Sequence, residues 1–497
     1  MKTSGIIREG LAEVLPIETN EVFYNPVQVF NRDLSILAVS VFARDSSTDS
    51  GCLYVKKKKV SDDQEPREIT VFEGLAASGL RSVRYAKELQ FSSYSITAND
   101  IESAAVDRIN KNIEHNQIGH MKIQAINSDA IIHLHTNRNV YDVIDLDPYG
   151  SVSPFLDSAL ASVKNGGLLC ITSTDGGVLC GNQVDLSYIR YGGFSLKKDY
   201  AHEMGIRVLL NAVNQAAGRY KRSIKILAAF SIDFYFRIFV QVIDSPEQSL
   251  ASVDNIGLVF QCCRCEYHSI QPLSGRPDGV LKAPKPGRIL NPNTNGCPEC
   301  TGQLSIGGPM WIGPIYDPIF IEKCIDVVDN ERDSFPGITS WAKINGLLHG
   351  LRSELIDVPL FYSIPGLVQA IKCSPPKLRV FQHYLSLLGY RVGVSHRTTN
   401  AIKTDAPSVV VFDLLRNFVQ FSKFSSLKPM VPEILEKKII TNLPDNIDWN
   451  IKIAGSASHV PIYLPNPKAF WGPKQRALTT VEQERLVGST KKPKIDE

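Results

Sequence analysis

The sequence predicts an α/β protein built on a mostly parallel sheet that closes on an antiparallel hairpin, followed by an α+β region containing a metal-binding segment. Three observations carry this. Between Glu68 and Asp244, short apolar runs alternate with helix-period stretches, as a parallel sheet covered on both faces requires. Two consecutive apolar runs, Ile224–Asp233 and Phe236–Asp244, lie too close together for a crossover and form the hairpin. Beyond them the periodicity lapses into Pro, Gly and Ser, and two Cys-x-x-Cys pairs appear.

At 497 residues the chain exceeds one ordinary core, so two or three domains are expected. Apolar residues make up 43%, and no run approaches the roughly 20 needed to span a bilayer. The start, Met1 to Gly10, lacks both the apolar core of a secretory signal and the Arg and Ser bias of a transit peptide. An intracellular protein with no membrane partner is the expectation. Net charge is only +3, so a nucleic-acid partner would have to meet basic residues gathered on one face. Ten cysteines, four of them paired and the rest scattered, point to a reducing compartment and a metal.

Residues 1–50 mix polar and apolar groups without regular periodicity, as in Phe23-Tyr24-Asn25-Pro26 and Asn31-Arg32-Asp33, and suggest an arm folded over the main domain. Gly51–Arg67, with Lys56 to Lys59 and then Asp62-Asp63-Gln64-Glu65, has the charge density of a solvated loop. Strands are expected at Ile69–Phe72, Tyr94–Thr97, Lys122–Ile126, Val143–Leu146 and Gly167–Thr172. Helices are expected at Leu80–Leu89, Ile101–Asn116, Ala130–His135, Pro154–Val163 and Tyr200–Tyr220. Helices resume at Lys377–Leu388 and Val409–Phe421, and the end from Ser489 is short, charged and expected to be disordered.

Ligands of open α/β sheets sit at the carboxyl ends of the strands, and four such ends here carry suitable groups. The first enters its helix through Glu73-Gly74-Leu75-Ala76-Ala77-Ser78-Gly79, where small residues let a ligand approach the backbone at a helix N-terminus. The second ends at Asn99-Asp100, placed to accept two ribose hydroxyls. The third is followed by Ser128-Asp129-Ala130, an acid and an amide suited to an adenine amine. The fourth, Val143–Leu146, delivers Asp147-Pro148-Tyr149-Gly150. This set fits S-adenosylmethionine better than a dinucleotide.

Asp147 would stand at the mouth of that crevice, with Pro148 stiffening the backbone and Tyr149 offering a flat face. Chemistry on a nucleobase amine needs those groups, because the amine's lone pair is delocalised into the ring and an acceptor must take its protons during attack. The same turn also suits a plain helix cap at Asp147.

The pairs Cys262/Cys265 and Cys297/Cys300 can each supply adjacent corners of a tetrahedron, and Zn²⁺ accepts four thiolates without redox change. Such a set leaves no position for water, so the site would be structural. Cys263 could compete with Cys262, and His268 is a weaker substitute. Downstream, Lys343, Arg352, Lys372, Lys377, Arg379, Arg391 and the stretch Ser395-His396-Arg397-Thr398 place basic groups beside hydroxyls, which suits phosphates or a solvated face.

Taken together, Phe23-Tyr24-Asn25-Pro26, Asn31-Arg32-Asp33, Ala77-Ser78-Gly79-Leu80-Arg81, Asn99-Asp100, Asp147-Pro148-Tyr149-Gly150 and the late Asn466-Pro467 to Trp471-Gly472-Pro473 resemble the tRNA guanine-26 N2-dimethyltransferase family, from about residue 8 to about 480. The resemblance implies a Rossmann-like methyltransferase sheet that uses S-adenosylmethionine to methylate tRNA. It also implies that Arg32, Arg81, Asp100, Asp129 and Ala130 hold the cofactor, and that Asp147 acts on the amine with Tyr149 and Phe23 packing the flipped base. The domain reading is an arm at 1–50, a methyltransferase domain at 51–245, a zinc segment at 246–310, a tRNA-binding domain at 311–488 and a tail at 489–497. A monomer located in the nucleus, with a mitochondrial share, completes the expectation. Lys56–Pro66 looks like an insertion in the family pattern. Two rivals remain open: an amino-methyltransferase of DNA, whose turn usually carries a second proline where this chain has Tyr149 and Gly150, and a non-catalytic RNA-binding protein on a decayed sheet.

Overall fold

The computed structural model describes residues 6–16, 24–48, 68–91, 93–119, 122–275, 285–286, 296–422, 429–444 and 447–453. Phe23, the Lys56 to Pro66 insertion, the Asn466 to Pro473 motif and the 489–497 tail lie outside them.

Two short strands, β1 (Ile7–Glu9) and β2 (Ala12–Val14), pair at the start and precede the 20-residue helix α1 (Val29–Thr48). The central sheet contains β3 (Ile69–Glu73), β4 (Tyr94–Asp100), β5 (Ile123–Asn127), β6 (Tyr141–Leu146), β7 (Val163–Ser173), β8 (Arg222–Ile232) and β9 (Tyr235–Asp244). Its order is β5-β4-β3-β6-β7-β9-β8, with β3 to β7 parallel and the β8–β9 hairpin antiparallel. The order reverses between β3 and β6, so the crevice opens at their carboxyl ends. Helices α2 (Leu80–Glu88), α3 (Ser103–His115), α4 (Ala130–Thr136), α5 (Leu156–Ser162), α6 (Gly176–Leu179), α7 (Val184–Tyr191) and α8 (Ala201–Arg219) fall between the strands. Every residue of β6 is buried, which is why it reads as an apolar run without alternation.

Helix α1 is the main departure from the expected arm. Every residue from Phe30 to Phe42 is buried, so no solvent face imposes a helical period on the sequence. Its charged residues in this stretch have partners instead. Arg32 Nε meets Glu9 Oε1 at 2.6 Å, and Asp33 Oδ1 meets Arg84 Nη2 at 2.7 Å. Arg84, fully buried on α2, also binds Glu9 at 2.9 Å and Glu88 at 2.8 Å. Asp33 Oδ2 accepts the backbone N–H of Thr339 at 3.0 Å and of Ser340 at 2.9 Å.

After α9 (Pro246–Ala251), strands β10 (Ile256–Cys262), β11 (His268–Pro272) and β14 (Leu304–Trp311) form an antiparallel sheet in the order β11-β10-β14, and β12 (Ser274–Gly275) pairs with β13 (Lys285–Pro286). The Pro, Gly and Ser of this segment hide the sheet from a reading by periodicity. Next come α10 (Pro318–Asn330), α11 (Trp341–Arg352), β15 (Tyr362–Ser363), α12 (Ile364–Gln369), α13 (Leu378–Leu387), β16 (Val392–Gly393), β17 (Ala401–Thr404), α14 (Ser408–Ser422) and α15 (Glu433–Glu436). The apolar interior falls into two cores. The larger joins the central sheet to β1, β2 and α1 and continues through Met310, Trp311, α10 and α11 to Phe361. The smaller contains the four paired cysteines, Tyr267, and residues from Tyr362 to Trp449. Residue 311 therefore lies inside the larger core.

Replacing Arg84 by Ala leaves Glu9, Asp33 and Glu88 facing one another without their shared cation. Chemical denaturation of Arg84→Ala should show a loss of about 3–5 kcal/mol, the usual cost of breaking a buried ion pair from one side. Wild-type stability would show that water or side-chain movement compensates.

Candidate active site and cysteine cluster

The turn from β3 into α2 is shaped by glycine. Gly79 caps α2 at φ +72°, and a Cβ there would come within 3.0 Å of Ile109 on α3. The turn is fastened to its neighbours: Gly74 N–H donates to Asp145 O at 3.0 Å, Ala76 N–H to Asn99 O at 2.8 Å, and Asn99 Nδ2 to Gly74 O at 2.9 Å. At the end of β6, Gly150 has φ +78° and donates to Thr174 Oγ1 at 2.7 Å, which ties the Asp147–Gly150 turn to the segment after β7.

Between these turns lies a cavity of about 330 Å³. Glu73, Ala76, Ala77, Ser78, Arg81, Asp147, Pro148 and Tyr149 line it, with Tyr24 and Arg32 on the N-terminal side and Thr174 and Phe234 opposite. Of the expected residues, Asp147, Tyr149, Arg32 and Arg81 therefore share one cavity. Tyr149 is 53% exposed at its mouth. Asp100, Asp129 and Ala130 stand apart on the neighbouring strand ends.

Asp147 Oδ2 receives a short bond from Arg81 Nη2 and a second from Asn31 Nδ2 at 3.3 Å. Beneath it, buried Asp145 takes both terminal nitrogens of Arg237, at 3.0 and 2.6 Å, and the hydroxyl of Tyr85 at 2.6 Å. Burial alone would raise the Asp145 pKa, but the Arg237 and Arg81 guanidiniums outweigh it and hold it below the ordinary carboxylate value. Glu73 goes the other way. Burial pushes its carboxyl up to about 7, against the pull of Arg81 and Ser82 and helped by Asp145 and Asp147. Three carboxylates thus surround two guanidiniums, a balance that favours a bound cation or a proton. A sulfonium or ammonium group fits that excess, and the Ala76-Ala77-Ser78 turn leaves it room.

Asp100 Oδ2 accepts Ala77 N–H at 2.8 Å and Oδ1 accepts Glu102 N–H at 3.1 Å, so this acid shapes the glycine turn. Asp129 caps α4 by accepting from Ile131 N–H at 2.7 Å and Ile132 N–H at 3.3 Å, and buried Ala130 begins that helix. The fork of Arg32 is held by Glu9, both bonds being 2.6 Å. Sequence reasoning missed Glu73, Asn31, Asp145, Arg237, Thr174 and Phe234. Arg237 did leave a signal: a charge inside the apolar run Tyr235 to Val240, at a position that proves fully buried.

The four paired cysteines are buried with all their sulfurs within 4.8 Å of one another. Cys262 and Cys300 sulfurs are 3.4 Å apart, and Cys265 lies 3.6 Å from both Cys297 and Cys300. Tetrahedral thiolates at the Zn–S length of about 2.3 Å would stand roughly 3.8 Å apart. Arg264 N–H and Glu299 N–H each point at a sulfur at 3.3 Å, as loops around a thiolate-bound metal do. Exposed Cys263 turns away toward Ser305, and the His268 ring lies 4.5 Å from that of Tyr362 at a tilt of 37°. Neither joins the cluster.

The family model described as N2,N2-dimethylguanosine tRNA methyltransferase matches residues 5–416. The chain belongs to this family. A mouse relative named tRNA (guanine(26)-N(2))-dimethyltransferase is 36% identical, covering 95% of this chain and 76% of its own length. A Saccharomyces cerevisiae relative with the same name and the addition "mitochondrial" is 30% identical over 96% of this chain and 92% of its own. The solved complex of Trm1 from Pyrococcus horikoshii with S-adenosyl-L-methionine superposes with a TM-score of 0.66 at 25% identity, covering 82% of this chain and 98% of that one. Membership in this N2,N2-dimethylguanosine methyltransferase family and the shared fold bear out the resemblance read from the motifs. They favour it over the DNA-amine and non-catalytic readings. No helix among the described residues is long and apolar enough to cross a membrane.

Glu73 generates a pH prediction. Its folded-state pKa of about 7 exceeds the reference value of 4.5, so the folded chain keeps a proton that the unfolded chain has lost. The corresponding stability is full below about pH 4.5 and declines as pH rises toward 7. Glu73→Gln should flatten this part of the profile, raising the melting temperature at pH 7.5 relative to that at pH 5. An unchanged difference between the two pH values would remove Glu73 as its source.

Proposed function

We propose that the chain transfers two methyl groups in succession from S-adenosylmethionine to the exocyclic N2 of guanine 26 in tRNA, giving N2,N2-dimethylguanine. The observation that supports this most is Asp147, held by Arg81 and Asn31 beside an exposed tyrosine at the carboxyl end of β6. S-adenosylmethionine, when bound, supplies an electrophilic methyl group on a positively charged sulfur. The chain's task is then positioning, because donor, methyl and amine must lie in line.

In this reading Asp147 accepts a proton of the guanine amine and aims its nitrogen, while Arg81 fixes the orientation of the carboxylate. Tyr149 packs on the flipped base, and Phe23, next to the cavity residue Tyr24, is its candidate partner. Glu73 meets the cofactor's positive charge, Asp100 its ribose, and Asp129 and Ala130 its adenine; Arg32 and Arg81 act on the carboxylate side. Arg32 does so with a fork already ordered by Glu9. Tyr149 at an open mouth leaves room for the monomethylated amine to be presented again.

The cysteine cluster holds a structural zinc in this proposal, and the basic residues of the second half grip tRNA phosphates. The protein is nuclear in this proposal, and the relative named mitochondrial supports a mitochondrial share. Replacing Cys297 by Ser should lower metal content and melting temperature together. Less than about one zinc per wild-type chain, with no other metal in its place, would remove the zinc assignment.

Incubating the protein with undermodified tRNA and labelled cofactor, then identifying the nucleoside by mass spectrometry, tests the reaction itself. Asp147→Asn should retain cofactor and tRNA binding while its single-turnover rate falls roughly 10²- to 10⁴-fold. Methyl transfer at the wild-type rate would leave Asp147 a structural residue.

A further inference from the structure

Among the described residues only four aromatic side chains (Phe, Tyr or Trp) are exposed: Tyr149, Tyr188, Phe194 and Phe421. Tyr149 is in the cavity mouth, and Tyr188 and Phe194 form a pair of their own. Their rings stack at 4.6 Å and 13° while remaining 50% and 40% exposed, and Ile189 beside them is 74% exposed. A stacked aromatic pair left open to water offers a flat apolar face to a ligand.

The backbone under the pair is held from several directions. Gly192 ends α7 in the left-handed region at φ +71° and donates to Tyr188 O at 2.8 Å. Phe194 exchanges two backbone bonds with Gly308 on β14, at 2.9 and 2.8 Å. Ser187 Oγ donates to Gly193 O at 2.7 Å. The rings therefore sit on a fixed platform, and holding aromatics rigid before binding lowers the entropy cost of ordering them.

The platform is continuous with the catalytic turn. Tyr191, in the last turn of α7, places its hydroxyl 3.2 Å from Ser173 Oγ and 3.3 Å from Asp175 Oδ2. Ser173 Oγ in turn donates to Gly150 O at 3.3 Å. Arg190 lies on the same helix, 2.7 Å from Asp175, and exposed Lys197 follows the pair. Aromatic faces flanked by cations, one hydrogen-bond chain away from a pocket for an extruded base, match the requirements of stacking unpaired nucleotides.

We infer that Tyr188 and Phe194 form a base-stacking platform for tRNA nucleotides next to the guanine that enters the cavity. This rests on the tRNA reading above and names a second contact for the same substrate. The platform supports the neighbours of the extruded base after they lose their stacking partner, and so stabilises the open RNA conformation.

The experiment compares wild type, the double variant Tyr188→Ala/Phe194→Ala and the aromatic swap Tyr188→Phe/Phe194→Tyr, all as full chains. Affinity for undermodified tRNA is read by fluorescence anisotropy, cofactor affinity by calorimetry, and folding by melting temperature. The double Ala variant should bind tRNA roughly 5- to 100-fold more weakly, the loss of one or two stacked bases, with cofactor affinity and melting temperature unchanged and the swap restoring tRNA affinity. Wild-type tRNA affinity in the double Ala variant overturns the platform. So does a loss of cofactor affinity of equal size, or a wild-type dimer that this variant turns into a monomer, since the pair would then be structural or a protein contact. Binding is measured without turnover, so a wild type that binds tRNA but methylates no guanine defeats the enzymatic reading and leaves the platform standing.

Discussion

Two guanidiniums among three buried or half-buried carboxylates form the constraint on which the rest of the candidate active site depends. Arg237 comes from the closing hairpin, Arg81 from the first helix of the sheet, and Asp145 and Asp147 flank Leu146, the last residue of β6. Successive strand residues point to opposite faces, so Asp145 and Asp147 share a face while Leu146 between them enters the core. Asp145 anchors the strand end by neutralising Arg237. Asp147 can then stand in the cavity with its orientation set by Arg81. Removing Arg237 would leave Asp145 buried with only Arg81 and Tyr85, pulling Arg81 inward and away from Asp147.

The N-terminal elements extend this logic outward. Glu9, on a three-residue strand, binds Arg32 and Arg84 together, and burial, which would raise its pKa, is outweighed by both arginines. Arg32 lines the cavity and Arg84 does not, so Glu9 joins the site to the scaffold. Asp33 carries the same connection to the start of α11 through two backbone amides. A helix buried all round from Phe30 to Phe42 can be tolerated because each of these charges has a partner fixed before the cavity is filled.

The sheet was legible because its physics is local: a buried parallel strand must be apolar, a strand-to-helix turn must be small, and both leave marks within ten residues. The expected strands and helices from Ile69 to Asp244 match the observed ones within a few residues at each end. That Asp147 and Tyr149 share a turn, that Asp100 ends its strand and that four cysteines fall in two pairs were legible for the same reason, since turn chemistry and Cys-x-x-Cys spacing are written in contiguous sequence. What stayed hidden depends on distant partners. Helix α1 lost its period because Glu9, Arg84 and Thr339 satisfy its polar residues from elsewhere in the chain. Glu73 looks like an ordinary strand end until Arg81, Asp145 and Asp147 surround it. The β10–β11–β14 sheet was obscured because β10 and β11 turn through the first cysteine pair rather than a Gly- or Asn-based turn, and β14 returns to β10 only after about 40 residues.

The cysteine cluster can influence the cavity only through packing, because no residue of the cluster lines it. Glu299, inside the second cysteine pair, meets buried Arg416 on α14 at 2.5 Å, and Arg416 meets Asp413 at 2.6 Å, so the cluster is built into the smaller core. That core grips the helices around the central sheet through Lys403, buried 2.8 Å from Glu203 on α8 and 3.2 Å from Glu354. Glu354 binds His396 Nδ1 at 2.6 Å, and His396 Nε2 accepts the backbone N–H of Ser231 at 3.2 Å. Arg397 donates to Asp233 O at 3.0 Å, and the next residue along, Phe234, lines the cavity. The tip of the β8–β9 hairpin is therefore fixed by two consecutive residues of the second half of the chain. A metal that orders the smaller core would thus also set one wall of the cavity.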